Sequence, residues 1–254
     1  YTEEDIKSLD AMMAKKAVAF PITNTWYMPA FFFANGGTMF GDGTDGTAGI
    51  TFGGEAGAAA TMYVANALAA GTMIDDAGGA GMDALRNGKV SALFSGTWDA
   101  KNVADALGEN YAAAQLPTIT INGEAKQLRA FAGSKCIGVN PNCKNQKVAM
   151  EVAAFLASEE SQLARFELRN ITPALSSLAA NDKVKASICA QAEIAVMAGT
   201  SVVQPGLTGM SAFWTEMGTF GGNSVICGGI YNCPDEELQS QVEMSDSVKS
   251  LVET

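Results

Sequence analysis

Three tryptophans carry the most legible chemistry of this chain, and none of them lies inside an apolar run. Trp26 stands in Asn24-Thr25-Trp26-Tyr27-Met28-Pro29, Trp98 follows Phe94-Ser95-Gly96-Thr97, and Trp214 closes Gly209-Met210-Ser211-Ala212-Phe213-Trp214. A tryptophan placed for the core usually sits within a strand or on the apolar stripe of a helix. At a turn it presents a flat apolar face and keeps its indole N–H free to donate. Faces of that kind stack on the C–H faces of sugar rings. For any single one, a half-buried indole closing a helix end is the commoner arrangement. Three in such settings direct attention to a ligand.

Composition removes several other chemistries. The 254 residues include no histidine, which excludes Ser–His–Asp and Cys–His catalysis and takes away the commonest zinc ligand. Cysteines at 136, 143, 189, 227 and 233 form no C-x-x-C pair, so neither a thiolate zinc site nor a thioredoxin-like motif is indicated. Cys136 with Cys143, and Cys227 with Cys233, could each close a short loop in an oxidising compartment, or could be small buried hydrophobes. The loop Gly41-Asp42-Gly43-Thr44-Asp45-Gly46-Thr47 has the Asp/Gly alternation of calcium loops but no closing glutamate at the required spacing. No metal or cofactor is expected. Sixteen Lys and Arg against 27 Asp and Glu give a net charge of −11, which argues against nucleic acid and anionic membrane as partners. The run Pro29-Ala30-Phe31-Phe32-Phe33-Ala34 falls far short of the ~20 residues of a membrane helix.

The elements that must position the tryptophans alternate between short apolar runs and longer helical patterns, as in an α/β protein. Thr2 and Asp5 form a capping-box pattern leading into Ile6 to Met13. Nothing at Tyr1-Thr2-Glu3 resembles a leader, so the chain is expected to open within a folded arrangement, processed or cut from something longer. Ala17 to Phe20 reads as a strand ended by Pro21. A helix follows Trp26 and stops at Asn35-Gly36-Gly37. Gly54 to Ala70 and Met82 to Arg86 read as helices. Lys89 to Phe94 is a buried strand that turns at Gly96-Thr97-Trp98 into another helix. Such a turn aims main-chain N–H groups into a cleft. Tyr111 to Leu116 and Phe131 to Val139 read as strands. Helices are expected over Gln146–Ala157, Ser158–Arg169 and Asp182–Met197. Pro205-Gly206-Leu207-Thr208-Gly209 delivers Met210 to Trp214 onto a helix start. A closing helix opens at Pro234-Asp235-Glu236-Glu237.

The order of these motifs resembles the family-1 extracellular solute-binding proteins of sugar ABC transporters. Gly88-Lys89-Val90-Ser91-Ala92-Leu93-Phe94-Ser95-Gly96-Thr97-Trp98 is similar to the strand and turn that bring a tryptophan to the sugar site in that family. Met210-Ser211-Ala212-Phe213-Trp214 resembles the late helix start of its maltose-binding members. Asn24-Thr25-Trp26 stands where those members place an acid, a proline and a stacking tyrosine. Ala153-Ala154-Phe155-Leu156 with Ser158-Glu159-Glu160, and Arg169-Asn170-Ile171-Thr172-Pro173-Ala174, are supporting matches. Asn24 in place of the acid, and Gly78 and Gly218 where a tyrosine and an arginine are expected, leave the particular sugar open.

The resemblance implies an α/β fold of the type II periplasmic-binding-protein kind, with the opening of its N-terminal lobe missing. Residues 1–130 and 200–254 would form the C-terminal lobe, and 131–199 an incomplete returning segment of the N-terminal lobe, thinly packed or covered by a neighbour. It also implies an oligosaccharide ligand of maltose or maltodextrin type, partnership with ABC transporter membrane subunits, and an extracellular, cell-surface or periplasmic place for a secreted or lipid-anchored parent. In that reading Trp26, Trp98 and Trp214 stack on successive sugar rings. Asn24, Tyr27 and Ser95 bond hydroxyls, with main-chain groups near Gly96 and Gly209. Met210 and Ser211 complete the wall, and Phe213 favours the core. The expectation is a binding protein, not an enzyme. A glycoside hydrolase, the alternative, would need two facing carboxylates. Asp99 beside Trp98 and the pair Asp75-Asp76 are the acids available. A fragment without retained affinity is the third reading.

Overall fold

The computed structural model describes residues 1–219; the helix expected from Pro234, and Cys227 and Cys233, lie outside the described residues. At the amino end the capping box forms reciprocally. The Asp5 N–H donates to Thr2 Oγ1 at 3.2 Å and the Thr2 N–H to Asp5 Oδ2 at 2.6 Å. It opens only one tight turn, Asp5–Lys7, because Ser8 takes extended backbone and caps a new helix, α1 (Leu9–Lys15), through the Ala11 N–H. The continuous helix expected there is thus broken by a second cap.

Strand β1 (Val18–Phe20) follows, wholly buried, and Pro21 ends it. Helix α2 (Pro29–Ala34) has its proline at the first position, where no N–H is needed. Then come α3 (Gly54–Ala69), β2 (Met73–Asp75), α4 (Ala80–Arg86), β3 (Ala92–Leu93) and α5 (Ala100–Leu107). The three strands form a parallel sheet in the order β2-β1-β3. The strand expected over Lys89–Phe94 is only two residues long, since β1 is short and offers little edge to pair with. Asp10 on α1 fastens this layer. It accepts from the Tyr63 hydroxyl on α3 and from the Thr120 N–H, both at 2.8 Å.

Tyr111–Leu116 is not a strand; its alanines offer little for a pleated face to pack, and the segment runs unpaired. It leads to a hairpin of β4 (Thr118–Ile121) and β5 (Glu124–Gln127). Asn122 and Gly123 turn it, both at positive φ, as a type I′ turn needs. The strand expected over Phe131–Val139 is cut to β6 (Ala130–Ala132).

The chain then runs through α6 (Gln146–Ala157), α7 (Glu159–Arg169), α8 (Asp182–Ala186) and α9 (Ile188–Gly199). It returns as β7 (Ser201–Val203), parallel to β6. With three residues in β7, β6 has no partner beyond Ala132. Ser158 and Ser187 each accept from the N–H three residues on, starting α7 and α9 afresh. The single helix expected over Asp182–Met197 is therefore two. Helix α10 (Gly209–Thr219) closes the described chain.

An aromatic core joins β1, α2, β6 and α10 through Phe20, Phe31, Phe32, Phe33, Phe131 and Phe213. The excursion between β6 and β7 is packed much more thinly, around Phe166, Val184 and Ala190. Helix α6 buries no residue and exposes Val148, Met150, Val152, Phe155 and Leu156. Cys136 and Cys143 are free thiols, so the short loop between them is not closed by a disulfide, and neither is buried. Among the described residues, no helix is long and apolar enough to cross a membrane.

Candidate ligand-binding site

Because β1, β2 and β3 run parallel, their carboxyl ends share one edge of the sheet, the edge where open α/β sheets bind ligands. The loop after β1 carries Thr23 to Tyr27. The loop after β2 carries Asp76 to Gly78, and the loop after β3 carries Ser95 to Asp99. Thr23, Asn24, Thr25, Asp76, Ala77, Gly78 and Trp214 line an open cleft of about 460 Å³ here. Trp214 arrives from α10.

The tryptophans take two different arrangements. Trp26 and Trp214 stack on each other, ring centroids 6.2 Å apart and planes 12° from parallel. A sugar between them would need about 7 Å, two van der Waals contacts, so no ring fits. They make one double aromatic wall. Phe131 backs both, at 5.3 Å from Trp26 and 5.7 Å from Trp214. Trp98 is 65% exposed, its ring folded back over the Gly96 backbone. A Cβ on residue 96 would lie 2.2 Å from the indole, so glycine is what lets the ring lie there.

Polar groups link the two arrangements. The Asn24 side-chain oxygen accepts from the Trp26 N–H at 2.9 Å and fixes the turn, leaving its NH2 exposed. The Tyr27 hydroxyl is hydrogen-bonded with Ser95, joining the Trp26 turn to the Trp98 turn. Burial pushes the Tyr27 phenol up to about 12, the Ser95 bond opposes the rise, and the nearby charges of Asp99 and Asp76 add to it. Ser95 Oγ donates to Asp99 Oδ2 at 2.5 Å. Asp75 accepts from the Thr23 N–H at 3.2 Å and from its hydroxyl at 2.8 Å. Asp99 therefore serves the Ser95 turn and Asp75 serves the Thr23 turn.

Of the expected residues, Met210 is displaced from the site. It is buried at 4% exposure in the aromatic core and stands behind the wall, as does Phe213 at 3%. A loop delivers it inward because the first turn of a packed helix must bury one face. Ser211 is exposed on that turn. Thr23, Thr25 and Asp76 line the cleft with no sequence motif of their own. Their signal is position, just past the carboxyl ends of parallel strands. Asp42 and Asp45, in the loop with calcium-like alternation, accept from Thr44 and Thr47. Among the described residues no cluster of three or more His, Cys, Asp or Glu could hold a metal ion.

A small parallel sheet, helices packed around it and an aromatic cleft at its carboxyl edge define a ligand-binding α/β domain of the type II periplasmic-binding-protein kind. The chain belongs to the family of bacterial extracellular solute-binding proteins, whose profile matches residues 1–192. The galactooligosaccharide-binding protein of Bacillus subtilis (strain 168) is 30% identical over 198 residues, which are 75% of this chain and 46% of that protein. A solved structure with acarbose is 47% identical, with a TM-score of 0.81 over 87% of this chain and 58% of the other. The maltodextrin-binding protein MalE1 from L. casei BL23, without ligand, is 25% identical, with a TM-score of 0.77 over 95% of this chain and 64% of that one. The chain thus spans about half the length of the curated relatives it matches.

Proposed function

We propose that this chain is the ligand-holding part of an oligosaccharide receptor that feeds an ABC importer. The observation that carries the reading is the double wall of Trp26 and Trp214 beside a cleft lined by Thr23, Asn24, Thr25 and Asp76. Aromatic faces take the apolar faces of sugar rings, and the surrounding polar groups take the hydroxyls. Trp98 provides a second, separate platform, with Ser95 and the main chain of Gly96 beside it. Maltodextrin-like ligands lead, supported by the relative solved with acarbose, and galacto-oligosaccharides follow, supported by the relative named for them.

In this reading residues 1–130 and 200–254 belong to one lobe. Residues 131–199 return from a second lobe, which supports closure over the sugar in the hinge manner of such receptors. The parallel pairing of β6 with β7, at the points where the chain leaves and re-enters, favours that division. The receptor works outside the cell or at its surface, docking on the importer's membrane subunits.

Binding rather than catalysis is proposed because Asp75 and Asp99 are each held by a neighbouring turn. Incubation with maltodextrins should leave chain lengths unchanged. Intrinsic fluorescence of the full-length protein, titrated in parallel with maltotriose and galactotriose, tests the ligand class. A saturable change with either supports the reading, and none with both refutes it.

A further inference from the structure

The cleft contains a carboxylate that the surrounding turns only half employ. Asp76 follows the carboxyl end of β2, lines the cleft together with Trp214, and is half-buried. Its Oδ1 accepts from the Gly81 N–H at 2.6 Å. Among the described residues nothing donates to its Oδ2. The first turn of α4 is shaped around this carboxyl. A Cβ on residue 81 would lie 2.7 Å from Asp76 Cγ and Oδ1 and 2.8 Å from the Ala19 side chain. Asp75 and Asp99 stand close enough to Asp76 for their charges to act on it. None of the ion pairs among the described residues involves any of the three. The cleft edge thus holds an oriented, free acceptor oxygen within an uncompensated negative field.

We propose that Asp76 Oδ2 receives hydroxyl hydrogens of the bound oligosaccharide, and that Asp76, Asp75 and Asp99 together make the cleft select uncharged over anionic sugars. This rests on the oligosaccharide reading above. The Gly81 N–H fixes the carboxyl plane before ligand arrives, so little ordering remains for the binding step. Adjacent ring hydroxyls donate to Oδ2 while the ring's apolar face meets the indole wall. A carboxylate on the ligand would enter this field with no lysine or arginine paired to the three acids.

Acidity supplies a signature. Burial holds the Asp76 carboxyl above its ordinary range, the Gly81 N–H opposes this, and Asp99 and Asp75 raise it further. Protonation would turn the free acceptor into a donor. Affinity is therefore present above the raised pKa and lost as pH falls through it, beginning at higher pH than for an ordinary aspartate. Of the groups around it, Tyr27 stays protonated up to about 12 and contributes nothing on the acid side.

The test is calorimetric titration of the full-length protein with maltotriose, and with maltotriose whose terminal C6 hydroxyl is oxidised to a carboxylate. The wild type should bind the oxidised sugar at least about tenfold more weakly. Asp76→Asn keeps the Gly81 bond through its amide oxygen but presents NH2 to the ligand. It should weaken maltotriose binding by about tenfold to a hundredfold and abolish the acid limb, with an unchanged thermal midpoint. Gly81→Ala displaces the carboxyl without removing its charge, and should weaken binding while keeping an acid limb. The wild-type acid limb needs no variant and stands if either variant misfolds. Wild-type affinity in Asp76→Asn with the same acid limb, or equal binding of both sugars by the wild type, overturns the proposal and leaves the receptor reading intact. A wild type that binds neither maltotriose nor galactotriose overturns both.

Discussion

Trp98 and Trp26 should separate binding from stability when each is truncated to alanine. Trp98 is 65% exposed, so folding removes only about a third of its surface from water. With ~150–250 Å² per aromatic side chain, that is about 50–90 Å². At ~25 cal/mol per Å² the loss on truncation is at most about 1–2 kcal/mol. The exposed face is what a sugar would cover. Losing it should cost about 2–3 kcal/mol of binding, roughly thirty- to a hundred-and-fifty-fold in affinity. Trp26 carries packing as well as its part of the aromatic wall. It packs on Phe131 at 5.3 Å, on Trp214 at 6.2 Å, and over Gly133. Trp26→Ala should cost about 3 kcal/mol of stability, the lower end for a core tryptophan because the ring is partly exposed. Thermal unfolding and maltotriose titration of both variants, made in the full-length protein, read the two quantities. Equal destabilisation by the two, with maltotriose affinity untouched in Trp98→Ala, would refute the assignment of Trp98 as a platform.

Gly96→Ala should drive the Trp98 ring from its seat, because the added Cβ would lie 2.2 Å from it. A shifted tryptophan emission and about a tenfold loss of maltotriose affinity are expected, with little change in melting. Tyr27 and Tyr111 are both pushed up to about 12, chiefly by burial. The unfolded chain ionises them near the ordinary 10.0, so their contribution is whole below pH 10 and lost as pH rises from there toward 12. Circular dichroism at rising pH should show stability falling in that window, and a flat profile would contradict it. Asp10→Ala strands the Tyr63 hydroxyl and the Thr120 N–H, and should cost about 1–2 kcal/mol in denaturant unfolding. Phe155→Ala on α6 should cost this chain no more than about 0.5–1 kcal/mol, since the ring is 56% exposed.

The site's outline was legible because its signals are local. Gly96 before Trp98, Asn24 before Trp26 and the Gly209 helix start each announce a turn that points an indole outward. What stayed hidden depends on pairing across the chain. That Trp26 and Trp214 stack on each other follows from β6 and α10 meeting behind them, which no residue spacing encodes. Met210 reads as exposed beside Trp214, yet it is buried with Phe213 in the aromatic core, on the face of α10 turned inward. Asp76 was visible as half of an acidic pair, but its place at the carboxyl edge depends on β2 lying parallel to β1. The β4–β5 hairpin, by contrast, is written locally in Asn122-Gly123, a pair suited to a type I′ turn, while the alanine-rich segment before it stays unpaired. The breaks at Ser8 and Ser187 are caps of the same residue types that start other helices here, and periodicity alone runs through them.

The aromatic cleft is proposed to hold an oligosaccharide. Calorimetric titration of the full-length protein with maltotriose, beside a variant carrying both Trp98→Ala and Trp214→Ala, tests it most directly. A saturable, single-site heat is expected in the wild type, falling below detection in the double variant while its unfolding remains cooperative. Equal heats and affinities in the two proteins would contradict it.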